Sequence, residues 1–458
     1  MKKVVVVGGG ISGLTVAYAL LGRGDLEISV LESDSRPGGK IWSDRTEGFL
    51  CEKGTNGFLD NKPGTLELCK SLSLEPVRSN ENARKRFIYS NKRLNEMSGS
   101  PMAFLRSGLL SWRGKLRMLY ELFAPQGPED ETVADFVIRR LGKEGLDKLI
   151  DPMCSGVYAG DPYRMSIKSC FPRIKELEQQ YGSLIKALIK IQRTRKKTGG
   201  PKAGPAMGGN LTSFYNGADA ITNALAERLG ERLKLGVSVQ GIARLGGEKG
   251  NSYQLHTSEG IVDADIVVLA LPAYATSGIL KDFDARLSKA LLEIPYPPVS
   301  IVCFGYKKEK VQHSLKGFGF LVPRREGLKV LGTLWDSSIF PNRAPEGHVL
   351  LRSMVGGAQS PDSAMLDDNK LVSTVFDELR PIVSLKAEPD MVRIYRWERA
   401  IPQYLIGHDE KLKLMDERLR SHQGLYITGN AYRGVSMSDC IVNGYKIADA
   451  ILSKIQDH

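Results

Sequence analysis

A backbone that is to cradle phosphate needs a strand, a run of glycines and the start of a helix, in that order. The first 22 residues supply all three. Lys3 to Val7 reads as a strand, Gly8-Gly9-Gly10-Ile11-Ser12-Gly13 follows, and Leu14 to Gly22 is helix-forming. Gly8 allows the tight turn, Gly10 lets a pyrophosphate approach the main chain, and Gly13 lets helix and strand pack closely. Glu32 closes a second strand, Glu27 to Leu31, 19 residues beyond Gly13. Its carboxylate can accept both hydroxyls of an adenosine ribose and would repel a 2′-phosphate, which disfavours NADP. The chemistry predicted is dinucleotide binding in a βαβ unit.

That unit alone does not choose between NAD and FAD. Three further stretches favour FAD. Arg36-Pro37-Gly38-Gly39-Lys40 resembles the extended dinucleotide motif of the amine-oxidase-like flavoproteins, with Lys40 where those proteins usually carry Arg. Lysine keeps the charge but lacks the bidentate fork. Gly54-Thr55-Asn56-Gly57 resembles the turn beside the flavin ring in the same proteins. Near the other end, Gly429-Asn430-Ala431-Tyr432-Arg433-Gly434-Val435-Ser436-Met437 joins a strand, Leu425 to Thr428, to a helix, Cys440 to Ile455. Backbone N–H groups and a helix N-terminus there suit the N1–C2=O edge of a flavin, where negative charge develops on reduction. The cysteines sit in no pattern for covalent flavin, so noncovalent FAD is predicted.

Strand-and-glycine elements at both chain ends must therefore come together around a long middle. The segment 100–125 reads as one amphipathic helix opened by Ser100-Pro101 and closed by Pro125, with Phe104, Leu105, Leu109, Leu110, Trp112, Leu116, Met118, Leu119, Leu122 and Phe123 among basic Arg106, Arg113, Lys115 and Arg117. A membrane interface is the preferred reading, a core-facing helix with a basic outer side the other. Arg193 to Asn210 reads as a surface loop, Ala218 to Leu229 as a helix, and Leu235 to Val239 and Asp263 to Leu271 as strands. The predicted fold is α/β. A Rossmann-type FAD domain is built from discontinuous segments 1–75, 206–272 and 420–458. A mainly helical membrane-binding domain takes 90–205, and an α+β substrate-binding domain takes 76–89 and 273–419.

Hydrophobic residues make up 42% and charged residues 25% of 458, which excludes a disordered or fibrous chain. The net charge of +12 is local: 78–118 holds ten Lys or Arg against two Glu, and 186–202 holds seven and no acid. Such patches suit nucleic acid, anionic lipid or an acidic small substrate. Six scattered cysteines without a Cys-x-x-Cys pair argue against a zinc module and fit a reducing compartment. No histidine has metal spacing, so no metal is predicted, and His408 reads as a structural hydrogen-bonder. Met1 stands almost against the first strand, which leaves no room for a leader and predicts a cytoplasmic protein.

Four longer stretches are more specific: Ser155 to Pro162; Gly332-Thr333-Leu334 with Phe340 to Pro345; Trp397 to Tyr404 with Gly407-His408; and Gly429 to Cys440. On these the chain resembles the protoporphyrinogen oxidase family over nearly its full length. The resemblance implies oxidation of protoporphyrinogen IX, a six-electron reaction in porphyrin and haem synthesis. FAD takes two electrons at a time, dioxygen is the acceptor and hydrogen peroxide is released. It also implies peripheral attachment to an anionic membrane surface at the inner face of the cell membrane, a homodimer, and no nucleic acid. Arg86 matches the family's propionate-binding arginine, while Leu321, Leu334 and Met354 match the residues that sandwich the macrocycle. The cofactor contacts carried over are Gly8, Gly9, Gly10, Ile11, Ser12, Gly13, Glu32, Lys40, Gly54, Thr55, Asn56, Gly57, Val239 through its backbone, Asn430, Val435, Ser436 and Met437. The alternatives are a coproporphyrinogen III oxidase, whose four propionates would engage Arg84, Lys85, Lys92 and Arg93, an amine oxidase, and a non-catalytic flavin-binding membrane adaptor.

Overall fold

The valine run forms β1, Lys2–Val7, the middle strand of a five-stranded sheet. A computed structural model describes residues 1–97, 108–198, 209–245 and 252–456. β1 pairs on one side with β2, Leu26–Glu32, and on the other with Ile266–Leu269; Leu233–Leu235 and Leu425–Ile427 form the edges. Every pair is parallel. Val4 and Val6 face a layer of three helices: α1, Ile11–Leu20, with Ala220–Leu229 and Met437–Gln456. Val5 and Val7 face an antiparallel three-stranded sheet and the helices Ala273–Leu280 and Ala285–Leu292. Burial on both sides explains why the strand is unbroken valine rather than alternating.

A seven-stranded sheet forms the second layer system. Its order is Met391–Trp397, Val299–Lys307, His348–Gly356, Val330–Leu334, Gly319–Leu321, Phe87–Ser90, Arg93–Glu96. One face packs on the helix Asp368–Val383. Arg93–Glu96 pairs with Phe87–Ser90, so this sheet extends past the sequence boundary at 90. The remaining unit, from Trp112–Leu119 to Leu184–Thr198, is helical.

Four sequence expectations are corrected. The single helix over 100–125 is not formed: 98–107 lie outside the described residues, Leu109 and Leu110 are buried, and the helix is Trp112–Leu119 followed by a 3₁₀ turn, Tyr120–Phe123. It starts late because Ser111 caps it, its hydroxyl accepting the Gly114 N–H at 3.0 Å. The expected loop from Arg193 is helical through Thr198, since no breaker precedes Gly199; 199–208 lie outside the described residues. The Leu235–Val239 strand is split by Gly236 at φ +76°, leaving Leu233–Leu235 in the parallel sheet and Val239–Leu245 in the antiparallel one. The last helix begins at Met437 rather than Cys440, because Ser436 and Asp439 exchange side chain to main chain hydrogen bonds at 3.1 and 3.2 Å.

Candidate functional site

At the carboxyl end of β1 the chain turns at Gly8, φ +109°, into α1. A side chain at Gly13 would strike the Gly8 carbonyl, whereas one at Gly10 would point into open space. Gly10 is the N-cap of α1 and brings no side-chain acceptor, so the helix's first N–H groups carry no side-chain cap. Glu32 is buried against this turn, accepting the Gly9 N–H at 2.6 Å and the Asp34 N–H at 2.8 Å. Its carboxylate retains lone pairs for further donors. Val237 donates its N–H to the Glu32 carbonyl at 2.9 Å, which sets Val239 close by at the head of its strand. These features fit a dinucleotide at the carboxyl edge of the sheet.

The second glycine turn docks on the first, with the Gly38 N–H on the Gly9 carbonyl at 2.8 Å. Arg36 lies 3.7 Å over the Trp42 ring and donates to the Gly39 carbonyl at 2.7 Å. Lys40 is aimed elsewhere: its amine donates to the carbonyls of Arg399, at 2.6 Å, and Ala400. Burial lowers its pKa to about 8.

Gly54, Thr55, Asn56 and Gly57 form a turn next to this lysine. Both amide atoms of the Asn56 side chain are buried without a partner, an arrangement that suits a ligand offering both donors and acceptors. Beneath the turn lies an ionic group that sequence reasoning missed. Arg352 donates to Asp336 at 2.6 Å and to the Gly54 carbonyl at 3.2 Å. Glu52, fully buried, accepts from Ser43 at 2.7 Å and the Ala218 N–H at 2.9 Å, with Arg343 3.6 Å away. Burial raises its carboxyl to about 7. The available signal was a charge inside the apolar run Val349-Leu350-Leu351-Arg352.

Asn430, Val435 and Ser436 lie on the loop that feeds the Met437–Gln456 helix, and Met437 opens that helix. That helix crosses α1 at Gly444, where a side chain would press on Thr15. Both helix N-termini thus rise from the carboxyl edge of one sheet, Ile11 and Ser12 on one, Met437 on the other.

Register places the three apolar candidates together. Leu321 pairs with Gly332, and Gly332 with Met354; Leu334 and Arg352 pair two residues further along the same strands. Because faces alternate residue by residue, Leu321, Leu334, Met354 and Arg352 all share the face opposite the Asp368–Val383 helix. Gly156 lets a helix approach Leu321 there. Arg86 is exposed immediately before the Phe87–Ser90 strand, 5.2 Å from the Phe318 ring centre. Its neighbours Arg84 and Lys85 pair with Glu81 and Glu96, while Arg86 has no acidic partner among the described residues.

A family profile described as flavin containing amine oxidoreductase matches residues 11–452. The chloroplastic protoporphyrinogen oxidase of Oryza sativa subsp. japonica is 36% identical, the alignment covering 98% of this chain and 87% of the relative. The coproporphyrinogen III oxidase of Bacillus subtilis (strain 168) is 31% identical over 98% of each. A crystal structure from Exiguobacterium sp. 255-15 superposes with a TM-score of 0.82 at 28% identity, covering 98% of both chains. Reduced UDP-galactopyranose mutase shares the fold, with a TM-score of 0.75 at 18% identity over 99% of this chain and 94% of its own.

Proposed function

The chain belongs to the flavin-containing amine oxidoreductase family, and from that premise we propose that it is an FAD-dependent oxidase of protoporphyrinogen IX. The Gly8–Gly13 turn and the start of α1 would hold the diphosphate, Glu32 the ribose, and Val239 the adenosine end. Asn56, the Gly54–Gly57 turn and the 430–437 loop would hold the flavin ring, noncovalently. Bound FAD supplies a two-electron acceptor, used three times per macrocycle, with dioxygen as the final oxidant and hydrogen peroxide released.

The chain's own work is placement. Leu321, Leu334 and Met354 give the macrocycle an apolar wall, and Arg86 offers a guanidinium fork to a propionate. One observation carries this reading: the register sets those apolar residues on the same face as Arg352, which is hydrogen-bonded to the Gly54 turn. That adjacency supports reading these residues as a substrate wall beside a cofactor turn. Mixing the yellow protein with protoporphyrinogen without oxygen should bleach it, and readmitting oxygen should restore the colour and yield porphyrin fluorescence. An unbleached sample overturns the proposal. Arg86→Ala should raise KM at least tenfold with a smaller change in kcat, as expected for largely uniform binding.

A second reading is coproporphyrinogen III oxidation. It is favoured by the Bacillus subtilis relative and by two more cations, Lys92 and Arg93, at the turn of the hairpin that Arg86 precedes; Arg84 and Lys85 instead pair with Glu81 and Glu96. Faster turnover of the tetra-acid than of protoporphyrinogen selects it.

No helix among the described residues is long and apolar enough to cross a membrane. We infer peripheral attachment to an anionic surface, as a homodimer. The support is a stripe at helical spacing, with Trp112, Leu116, Leu119 and Phe123 exposed by 76, 64, 56 and 76%. The basic contribution is smaller than the sequence implied. Lys115 is buried, and Arg117 donates to the carbonyls of Ile138 and Arg139 at 3.0 Å. Trp112→Ser with Phe123→Ser should therefore lower binding to phosphatidylserine vesicles more than Arg113→Gln does.

A further inference from the structure

The loop between the last strand and the last helix is shaped by a residue outside it. Tyr404 is buried; its hydroxyl donates to the Asn430 carbonyl at 2.7 Å and accepts the Gly434 N–H at 3.0 Å. One phenol therefore ties both ends of a segment that belongs to no helix or strand, and whose last residue sits at φ +106°. The Tyr404 ring is stacked on His408, centres 4.1 Å apart and planes 11° apart. Burial keeps His408 neutral, and its Nε2 faces the Tyr432 carbonyl at 3.2 Å, where it must donate. From the other side the Tyr404 carbonyl accepts the Ser166 N–H at 2.9 Å and the Cys170 thiol at 3.4 Å. The ring is thus held by His408, and its main chain by Ser166 and Cys170 at the two ends of the Ile167–Cys170 helix, before the hydroxyl reaches the loop. Burial also raises the Tyr404 hydroxyl well above its ordinary range, so it remains a donor.

We propose that Tyr404 is a positioning residue for the flavin, its hydroxyl setting the shape of the 430–434 loop and so the placement of the main chain at 435–437. The inference rests on the flavin reading given above. Without the hydroxyl, the Asn430 carbonyl and the Gly434 N–H lose a shared partner at once; His408 on the Tyr432 carbonyl at 3.2 Å and Asn443 on the Arg433 carbonyl at 2.7 Å hold the middle of the loop, not its two ends.

Tyr404→Phe removes the oxygen and keeps the stack on His408. The full-length apoprotein is titrated with FAD, recording the dissociation constant, the visible spectrum of the bound flavin and the melting temperature of the apoprotein. The expected result is about tenfold weaker FAD binding with a shifted flavin band. Wild-type affinity with a wild-type spectrum overturns the proposal. So does a lowered melting temperature with an unshifted band, which would make Tyr404 merely a packing residue. If the wild-type chain itself takes up no FAD, the flavin reading falls and this inference with it; if wild type and variant bind alike, only the role of Tyr404 falls.

Discussion

Two groups of buried charges in this molecule are built from the same residue types and behave in opposite ways. In the helical unit, Glu178 accepts from Arg139 at 2.7 Å, Arg140 at 2.8 Å and Lys175 at 2.7 Å, while Arg140 also reaches Glu121 at 3.2 Å. Under the Gly54 turn, Glu52 has its guanidinium, Arg343, only at 3.6 Å, and Arg343 Nε, one Arg352 nitrogen and one Asp336 oxygen lack partners. Burial pushes the Glu178 carboxyl up, but the bonds from Lys175, Arg139 and Arg140 outweigh it and hold the pKa at about 2. Burial wins at Glu52, at about 7. The first cluster is matched internally and fixes helices. The second is incompletely matched next to the candidate cofactor turn, where unmet hydrogen-bonding capacity is expected of a binding site.

Arg140→Ala should test the contrast most severely. It removes the cation paired with Glu121 and one of the three on Glu178, and a loss of about 3–5 kcal/mol is expected by denaturant unfolding. FAD affinity of the remaining folded protein should be unchanged; a parallel loss would erase the distinction. Arg352→Ala should lower FAD affinity about tenfold through release of the Gly54 carbonyl, and unaltered affinity would show that the lower cluster is also merely structural. The smallest effects come from pH, with opposite signs. Glu178 has a depressed pKa, so its contribution is present above the unfolded value of 4.5 and is lost as pH falls toward 2. Glu52 has a raised pKa, so its contribution is present below 4.5 and is lost as pH rises through about 7. Melting curves of Glu178→Gln should lose part of the acid limb, and those of Glu52→Gln part of the decline between pH 5 and 8. A swap of these two assignments would refute the comparison.

The same contrast explains what could be read from the sequence. Val4 to Val7, the glycine turn and Glu32 are local signals, and the five-stranded parallel sheet forms as they imply, drawing strands from residues 2 to 427. The face shared by Leu321, Leu334 and Met354 depends on register, which a resemblance could suggest but spacing could not. Glu178 was opaque: Arg173-Ile174-Lys175-Glu176-Leu177-Glu178 looks like a solvated helix, and its partner Arg140 is 38 residues away. Lys115 and Arg117 looked like surface cations for the same reason. Gly236 was legible as a breaker but sat inside an apparent strand.

The Trp112 to Phe123 stripe stands on that ionic cluster. Glu121, within the 3₁₀ turn that ends at Phe123, is fully buried and receives the N–H groups of Leu184 at 2.7 Å and Ile185 at 3.1 Å. Rings with salt beneath them have no oily refuge to retreat into when water surrounds them. The Trp112 and Phe123 rings would therefore stay on display whether or not a bilayer is at hand.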